Sequence, residues 1–315
     1  MRGMTKSLAD PHTSFFSPGE AQKFLEGLRG TSLPGGIGII FGVDEKSKFA
    51  VVHEVIENSP ALRGGLLAKD LITAVDGVST KGMDVDKISS SIRGEADSPV
   101  RLTIVRRGGQ PFDVTFVRKP VRVGSVRSSV MDDIGYVRLR YFGEDTNREI
   151  DACFAKFDAA NVKAYVLDMR GNGGGYVHAA IHTVSKFLPQ GKIVVSFTGR
   201  TYPTEIHVTN GSRARDLPVV VLINEYSASA SEIVAGALQD HGYKVVGIKS
   251  YGKGSMQEMK WLVDGSMIKI TRARWFTPLH HPVDGVGITP NIKVEQDETS
   301  EEDVQLERAL QEAGR

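Results

Sequence analysis

The chain has 315 residues, 39 Lys and Arg against 38 Asp and Glu, and an aromatic share of 7%. It carries no basic stripe or aromatic platform of the kind that binds nucleic acid, and no apolar run approaches the roughly 18 residues of a membrane span. The length suffices for two domains, each burying its own core. The single cysteine, Cys153, cannot close an intramolecular disulfide, and its helical spacing to Phe154 and Phe157 predicts a place in a core. No repeat or low-complexity tract is present.

Taken in chain order, residues 1–31 form an N-terminal segment. Residues 34–43 (PGGIGIIFGV) and 49–56 (FAVVHEVI) are apolar runs with glycine punctuation and read as short strands. Residues 59–77 (SPALRGGLLAKDLITAVDG) resemble the PDZ pattern of a short helix, a Gly-Leu turn and a strand ending in Asp-Gly. A helical stretch at 85–93 and strands at 100–106 and 112–117, joined by the hairpin signal Gly108-Gly109, complete a small mixed-β domain at 32–120. A PDZ domain captures a peptide C-terminus. The backbone N–H groups of Gly36, Ile37, Gly38 and Ile39 are expected to hold the terminal carboxylate while the peptide adds as a strand to the sheet edge.

Residues 118–125 are polar and proline-broken and mark a domain boundary. Beyond them strand and helix patterns alternate from Ile134 onward, and such a succession predicts a layered α/β domain at 121–295. The buried strand at 164–169 (AYVLDM) feeds Arg170-Gly171-Asn172-Gly173-Gly174-Gly175 and a helix running through Leu188. No Lys-Ser or Lys-Thr follows these glycines, so the loop is a poor phosphate loop. A glycine loop at a helix N-terminus is nonetheless an anion site, and it suits an oxyanion. The same glycines could serve only a tight strand-to-helix turn.

The β-branched run 217–223 (LPVVVLI) reads as a second buried strand, followed by Asn224-Glu225-Tyr226 and the helix opening Ser227-Ala228-Ser229-Ala230-Ser231-Glu232. A hydroxyl at that helix start lies beside unpaired N–H groups and the positive dipole end, both of which favour a developing oxyanion. Such a serine needs a base. Lys253, flanked by Gly252 and Gly254, serves if burial or a positive field brings its pKa down from about 10.4. Gln257, four residues on, is a neutral partner able to orient an amine. Read singly, the serines could be caps and the lysine a surface turn.

In combination these segments resemble the carboxyl-terminal processing proteases, Ser-Lys endopeptidases that carry a PDZ domain. The likeness covers nearly the whole chain: 227–233 (SASASEI), 235–240 (AGALQD) and 251–257 (YGKGSMQ) are similar to the nucleophile, helix and base segments. It implies a crotonase-like layered α/β core with an inserted PDZ domain, Ser229 as nucleophile, Lys253 as general base and Gln257 as the residue that positions the base. It also implies an oxyanion hole of Ala230 and Gly174, with Gly173 the other candidate. The interval from Ser229 to Lys253 is 24 residues, one shorter than the family pattern, and the shortening is placed in the loop 240–243.

The implied substrates are polypeptides with a free, apolar C-terminus, with no cofactor, metal or nucleic acid, and a membrane-associated partner or homo-oligomer among the partner classes. The start MRGMTKSLADPHT is similar to an internal family segment, so the chain is expected to lack its own N-terminal signal and to act outside the cytoplasm, in a periplasm, at an outer membrane face or in a photosynthetic lumen. Competing readings are a non-catalytic PDZ scaffold and an acyl-thioester enzyme on a crotonase-like core. His178 and His182 have metal-ligand spacing but lack the Glu of a metalloprotease motif. His280, His281 and Asp284 raise a Ser-His-Asp alternative. Residues 296–315 predict a solvated acidic helix with Val304, Leu306 and Leu310 inward.

Overall fold

The computed structural model describes residues 1–29, 32–56, 58–211, 216–297, 300 and 302–314. Contacts divide the chain into one unit of Met1–Arg29 with Gly124–Arg315 and a second of Gly30–Val123.

The larger unit is built on a six-stranded sheet in the order Val126–Met131, Ile134–Leu139, Ala164–Asp168, Val219–Ile223, Lys244–Gly247 and Ile292–Lys293. The first pair is antiparallel and the other neighbours are parallel. Every residue of Ala164–Asp168 and Val219–Ile223 is buried, which is why these strands read as continuous apolar runs. Alternation still sorts their side chains. Tyr165, Leu167, Val219, Val221 and Ile223 face one core with helices Thr146–Ala159, Val177–Ser185 and Ala230–Asp240. Ala164, Val166, Val220 and Leu222 face the other, which is closed by Ala309 and Ala313 of the helix Val304–Ala313.

That last helix corrects the expectation of a solvated element. Gln305, Ala309, Glu312 and Ala313 are its buried residues, with Leu306 and Leu310 packed partly buried beside them. Small alanines let the helix approach the sheet, and the Glu312 carboxylate is paired with Lys244 at 2.7 Å and Arg308 at 2.8 Å. Cys153 is buried among Phe154 and Phe157 as expected, and burial pushes its thiol up to about 11. A second, antiparallel sheet joins Ser14–Phe16, Met267–Phe276, Ile193–Thr198 and Glu205–Val208, with Ser255–Trp261 also paired to Met267–Phe276. The pairing of Ser14–Phe16 with a strand some 250 residues later has no local signature in the sequence.

The smaller unit has a sheet of Ile39–Val43, Ala50–Val55, Leu71–Val75, Pro99–Val105 and Phe112–Val117, with Val78–Ser79 on Leu71–Val75. The helix Val85–Ile92 buries Ile88 and Ile92 in its core. Asp70, 1% exposed, receives Arg106 in a two-pronged ion pair of 2.8 and 2.7 Å.

The sheet of the larger unit sets its stability. Truncating Leu222, fully buried on a central strand, to Ala is expected to lower the unfolding free energy by about 2–5 kcal/mol in a urea titration. Leu279→Ala, at a site 63% exposed, should change it by less than about 0.5 kcal/mol.

Candidate active site

Parallel neighbours end at the same edge of a sheet, so the loops that follow them meet there. Asp168 is in register with Leu222, and Ile223 with Gly247, which brings together the glycine loop, the turn to Ser229 and the loop to Lys253. Together they border a cavity of about 350 Å3 lined by Gly173, Gly174, Gly175, Ser229, Lys253 and Gln257 among others.

The structure separates the three serines. Ser227 is fully buried and donates to the Met169 carbonyl at 2.9 Å, and Ser231 is fully buried and donates to the Asn172 carbonyl at 2.8 Å. Both tie the helix start to the glycine loop. Ser229 is only partly buried and lines the cavity. Its backbone stands at φ +57°, ψ −114°, a strained conformation for a side-chain-bearing residue, at a sharp strand-to-helix turn.

The glycine loop fits against that turn without room for a methyl group. A Cβ on Gly174 would lie 2.8 Å from the Ser229 Cβ and 3.0 Å from the Ala230 amide nitrogen. Its own amide, however, donates to Asn172 Oδ1 at 2.9 Å. Gly174 was expected to lend that N–H to an oxyanion; here it is engaged because the Asn172 side chain folds back over its own loop. Among the described residues the amides of Gly173 and Ala230 have no acceptor.

Lys253 is held by its backbone. Its N–H donates to Glu232 Oε2 at 2.8 Å, and its carbonyl accepts from Trp275 Nε1 at 3.1 Å. Gly254 passes so near Asp284 that a Cβ would lie 2.1 Å from the Asp284 amide, so the close approach expected of the flanking glycines is observed. Burial lowers the lysine's pKa, the charge of Lys269 lowers it further, and the Glu232 carboxylate opposes both.

Gln257 departs from expectation. It lines the cavity, but its side-chain amide donates to Ser255 Oγ at 2.9 Å and Thr271 Oγ1 at 3.2 Å rather than to Lys253. The two hydroxyls flank it on its own and the neighbouring strand, and they capture the amide.

The residue that sequence reasoning missed is Glu232. Fully buried, it accepts from the Ser229 amide at 2.7 Å and the Lys253 amide at 2.8 Å on one oxygen, and from Ser250 Oγ and the Gly252 amide at 2.6 Å on the other. The available signal was a capping box, since Glu stands three residues after the serine at the N-cap. The bonds to the loop at 250–253 had no such signal. In the loop 240–243 the chain turns at Gly242, φ +90°, between the helix Ala230–Asp240 and the strand Lys244–Gly247.

The histidine alternatives lie elsewhere. His182 Nε2 bonds Asp151 at 2.8 Å, and His178 stacks on Tyr176. His281 approaches Asp240 at 3.4 Å, His280 stacks on Phe276, and Asp284 faces Arg274 at 3.3 Å. None of these five groups lines the cavity.

In the smaller unit Gly36, Ile37, Gly38 and Ile39 line a pocket of about 60 Å3 with Ile92 and Arg93 of the helical wall. The Ile37 and Gly38 amides have no acceptor among the described residues, while their carbonyls accept from Ala61 and Ile56.

The fold and its comparisons define the class: a serine-type protease with a PDZ domain. Residues 133–294 match the model of peptidase family S41, and residues 51–106 match a PDZ domain. The chain is 38% identical over 304 residues to a carboxy-terminal-processing protease of Bartonella bacilliformis, covering 94% of this chain and 69% of that protein. It is 34% identical over 296 residues to a CtpA-like serine protease of Staphylococcus aureus, covering 93% of this chain and 59% of that one. The structure of a photosystem II D1 C-terminal processing protease is similar with a TM-score of 0.60 at 29% identity, covering all of this chain and 85% of that one. The chain belongs to peptidase family S41, within the carboxy-terminal-processing proteases.

Four donors converge on one buried carboxylate, so both Glu232→Ala and Glu232→Gln are expected to lower the unfolding free energy by on the order of 3 kcal/mol in a urea titration and to depress turnover with it. A loss below about 1 kcal/mol would show that the carboxylate does not hold these loops.

Proposed function

We propose that the chain is an endopeptidase in which Ser229 is the nucleophile and Lys253 the general base. The carrying observation is that Ser229 and Lys253 border one cavity, while Ser227 and Ser231 are buried and bonded elsewhere. Ser229 Oγ attacks the scissile carbonyl carbon as its proton passes to Lys253 Nζ. The oxygen that gains charge is met by the amides of Ala230 and Gly173 at the helix start. The C–N bond then breaks, Lys253 returns the proton to the leaving amine, and an ester to Ser229 remains. Water, deprotonated by the same lysine, hydrolyses that ester and frees Ser229.

Acylation and deacylation each need Lys253 to begin uncharged. Burial and the neighbouring Lys269 favour that form. Gln257 anchors the strand that follows the lysine through Ser255 Oγ and Thr271 Oγ1. In the smaller unit the free amides of Ile37 and Gly38 suit a peptide's terminal carboxylate, with apolar Ile92 beside it. The substrates on this reading are polypeptides with an accessible, apolar C-terminus. The family resemblance supports an extracytoplasmic location.

Ser229→Ala and Lys253→Ala are each expected to lower casein cleavage by on the order of 10^4-fold without a shift in thermal midpoint. Full activity in either variant sinks the assignment. A serine-directed acylating probe should modify Ser229; a modified Ser227 or Ser231 overturns the choice among the three.

Because the neutral amine is the active form, kcat/KM should rise as pH rises through the depressed lysine pKa and level off above it. A profile flat from mildly acidic to alkaline pH counts against a lysine base.

A further inference from the structure

Lys269 is a second cation of the catalytic cavity, and the catalytic scheme leaves it without a direct task. It lies on the strand Met267–Phe276, where register pairs it with Met259 and pairs Thr271 with Gln257. Paired residues share a face of a sheet. Met259, Gln257 and Lys269 therefore all point toward the cavity that holds Ser229 and Lys253, and all three line it.

The ammonium is half-buried and lies over two aromatic rings, 5.2 Å from the Phe24 centroid and 5.9 Å from the Phe16 centroid. Those rings pack on each other at 5.0 Å and form a platform for the side chain. Among the described residues the ammonium makes no hydrogen bond and no ion pair. The nearest acidic influence is Asp10, whose carboxylate is already committed to Thr13 Oγ1 at 2.5 Å and the His12 amide at 3.0 Å. Among the described residues no carboxylate lines the cavity, and its remaining walls are largely apolar, including Phe197, Ile233 and Trp275.

A half-buried ammonium with fixed aromatic support and no ion pair among the described residues is open to a partner on its cavity side. Cation–π contact offsets part of its desolvation, and a carboxylate arriving with substrate would supply the missing partner. Lys253 cannot take that role, since a bound carboxylate would hold it protonated and end its use as a base. Burial lowers the pKa of Lys269 as well, and a bound carboxylate would restore its charged form.

We propose that Lys269 is a specificity residue that binds a carboxylate of the substrate next to the scissile bond, in a cavity otherwise suited to apolar side chains. The inference rests on the protease reading of the same site. Two sources offer that chemistry: an Asp or Glu side chain flanking the cut, or the terminal carboxylate of a short substrate end.

The test uses the complete chain and a peptide whose cleavage site is first mapped in a casein digest. Versions are made with Glu or Gln beside the cut and with a free or an amidated C-terminus close to it, and kcat/KM is measured for each. The wild-type protein is expected to prefer a carboxylate-bearing version by roughly tenfold. Whichever pair shows the preference identifies the source.

Lys269→Gln should bring that ratio close to one, while Lys269→Arg should keep most of it. The ratio is read at a pH above the rise of the kcat/KM profile, where Lys253 is neutral with either peptide and a carboxylate's effect on the base drops out. Equal wild-type rates for the members of both pairs, or a ratio unchanged in Lys269→Gln, overturns the proposal and leaves the protease reading intact. Cleavage of no peptide by the wild-type chain overturns both. Should Lys269→Gln fail to fold, product inhibition of the wild-type protein decides: a carboxylate-bearing product should inhibit more strongly than its amide, and equal inhibition overturns the proposal.

Discussion

A single buried carboxylate, Glu232, ties the two halves of the candidate dyad into one body. Ser229 and Lys253 lie on different loops after different strands, and no bond between their side chains is needed to hold them in place. Instead one glutamate oxygen accepts both of their backbone amides, and the other accepts Gly252 and Ser250. A charged acceptor forms stronger bonds than a neutral one, and four donors offset the cost of burying it. The same carboxylate works against the chemistry, because its negative charge favours protonated Lys253. Placing its oxygens on main-chain amides spends much of that charge locally, and burial of the lysine together with Lys269 pulls the other way.

The sheet explains why such a staple suffices. Three neighbouring parallel strands deliver the glycine loop, the Ser229 turn and the Lys253 loop to one edge, so the carboxylate has only to fix loops that are already adjacent. The helix Val304–Ala313 contributes from the opposite face. Arg170, at the head of the glycine loop, is clamped between Asp168 and Asp303 at 2.7 to 2.8 Å, and Asp303 is the N-cap of that helix. The C-terminal helix is therefore a layer of the core and also an anchor for the loop beside Ser229.

Much of this was legible in the residues. Runs such as 217–223 announce a buried strand because both faces of a parallel strand are covered, and the small residues after it announce a helix start. Gly254 was readable as a point of close approach, and the close approach is there. The C-terminal helix turns Leu306 and Leu310 inward as expected, but its buried face also carries Ala309, Ala313, Gln305 and Glu312, and the partners of the two polar side chains, Val294 and Lys244, are not legible from spacing. Gln257 and Gly174 carry the same lesson at the site. Each has a competing acceptor or donor nearby, two hydroxyls for one and Asn172 for the other, and competition among neighbours is invisible in spacing.

By itself the sequence determined the local elements: strand, turn, glycine loop and helix start. Those follow from side-chain volume, backbone freedom and periodicity, all local properties. Only the tertiary structure decided which of three serines faces the cavity, that one glutamate joins nucleophile and base loops, and that Lys269 stands opposite them on an antiparallel strand. These depend on pairings between strands far apart in the chain, where register, not composition, sets what a side chain meets.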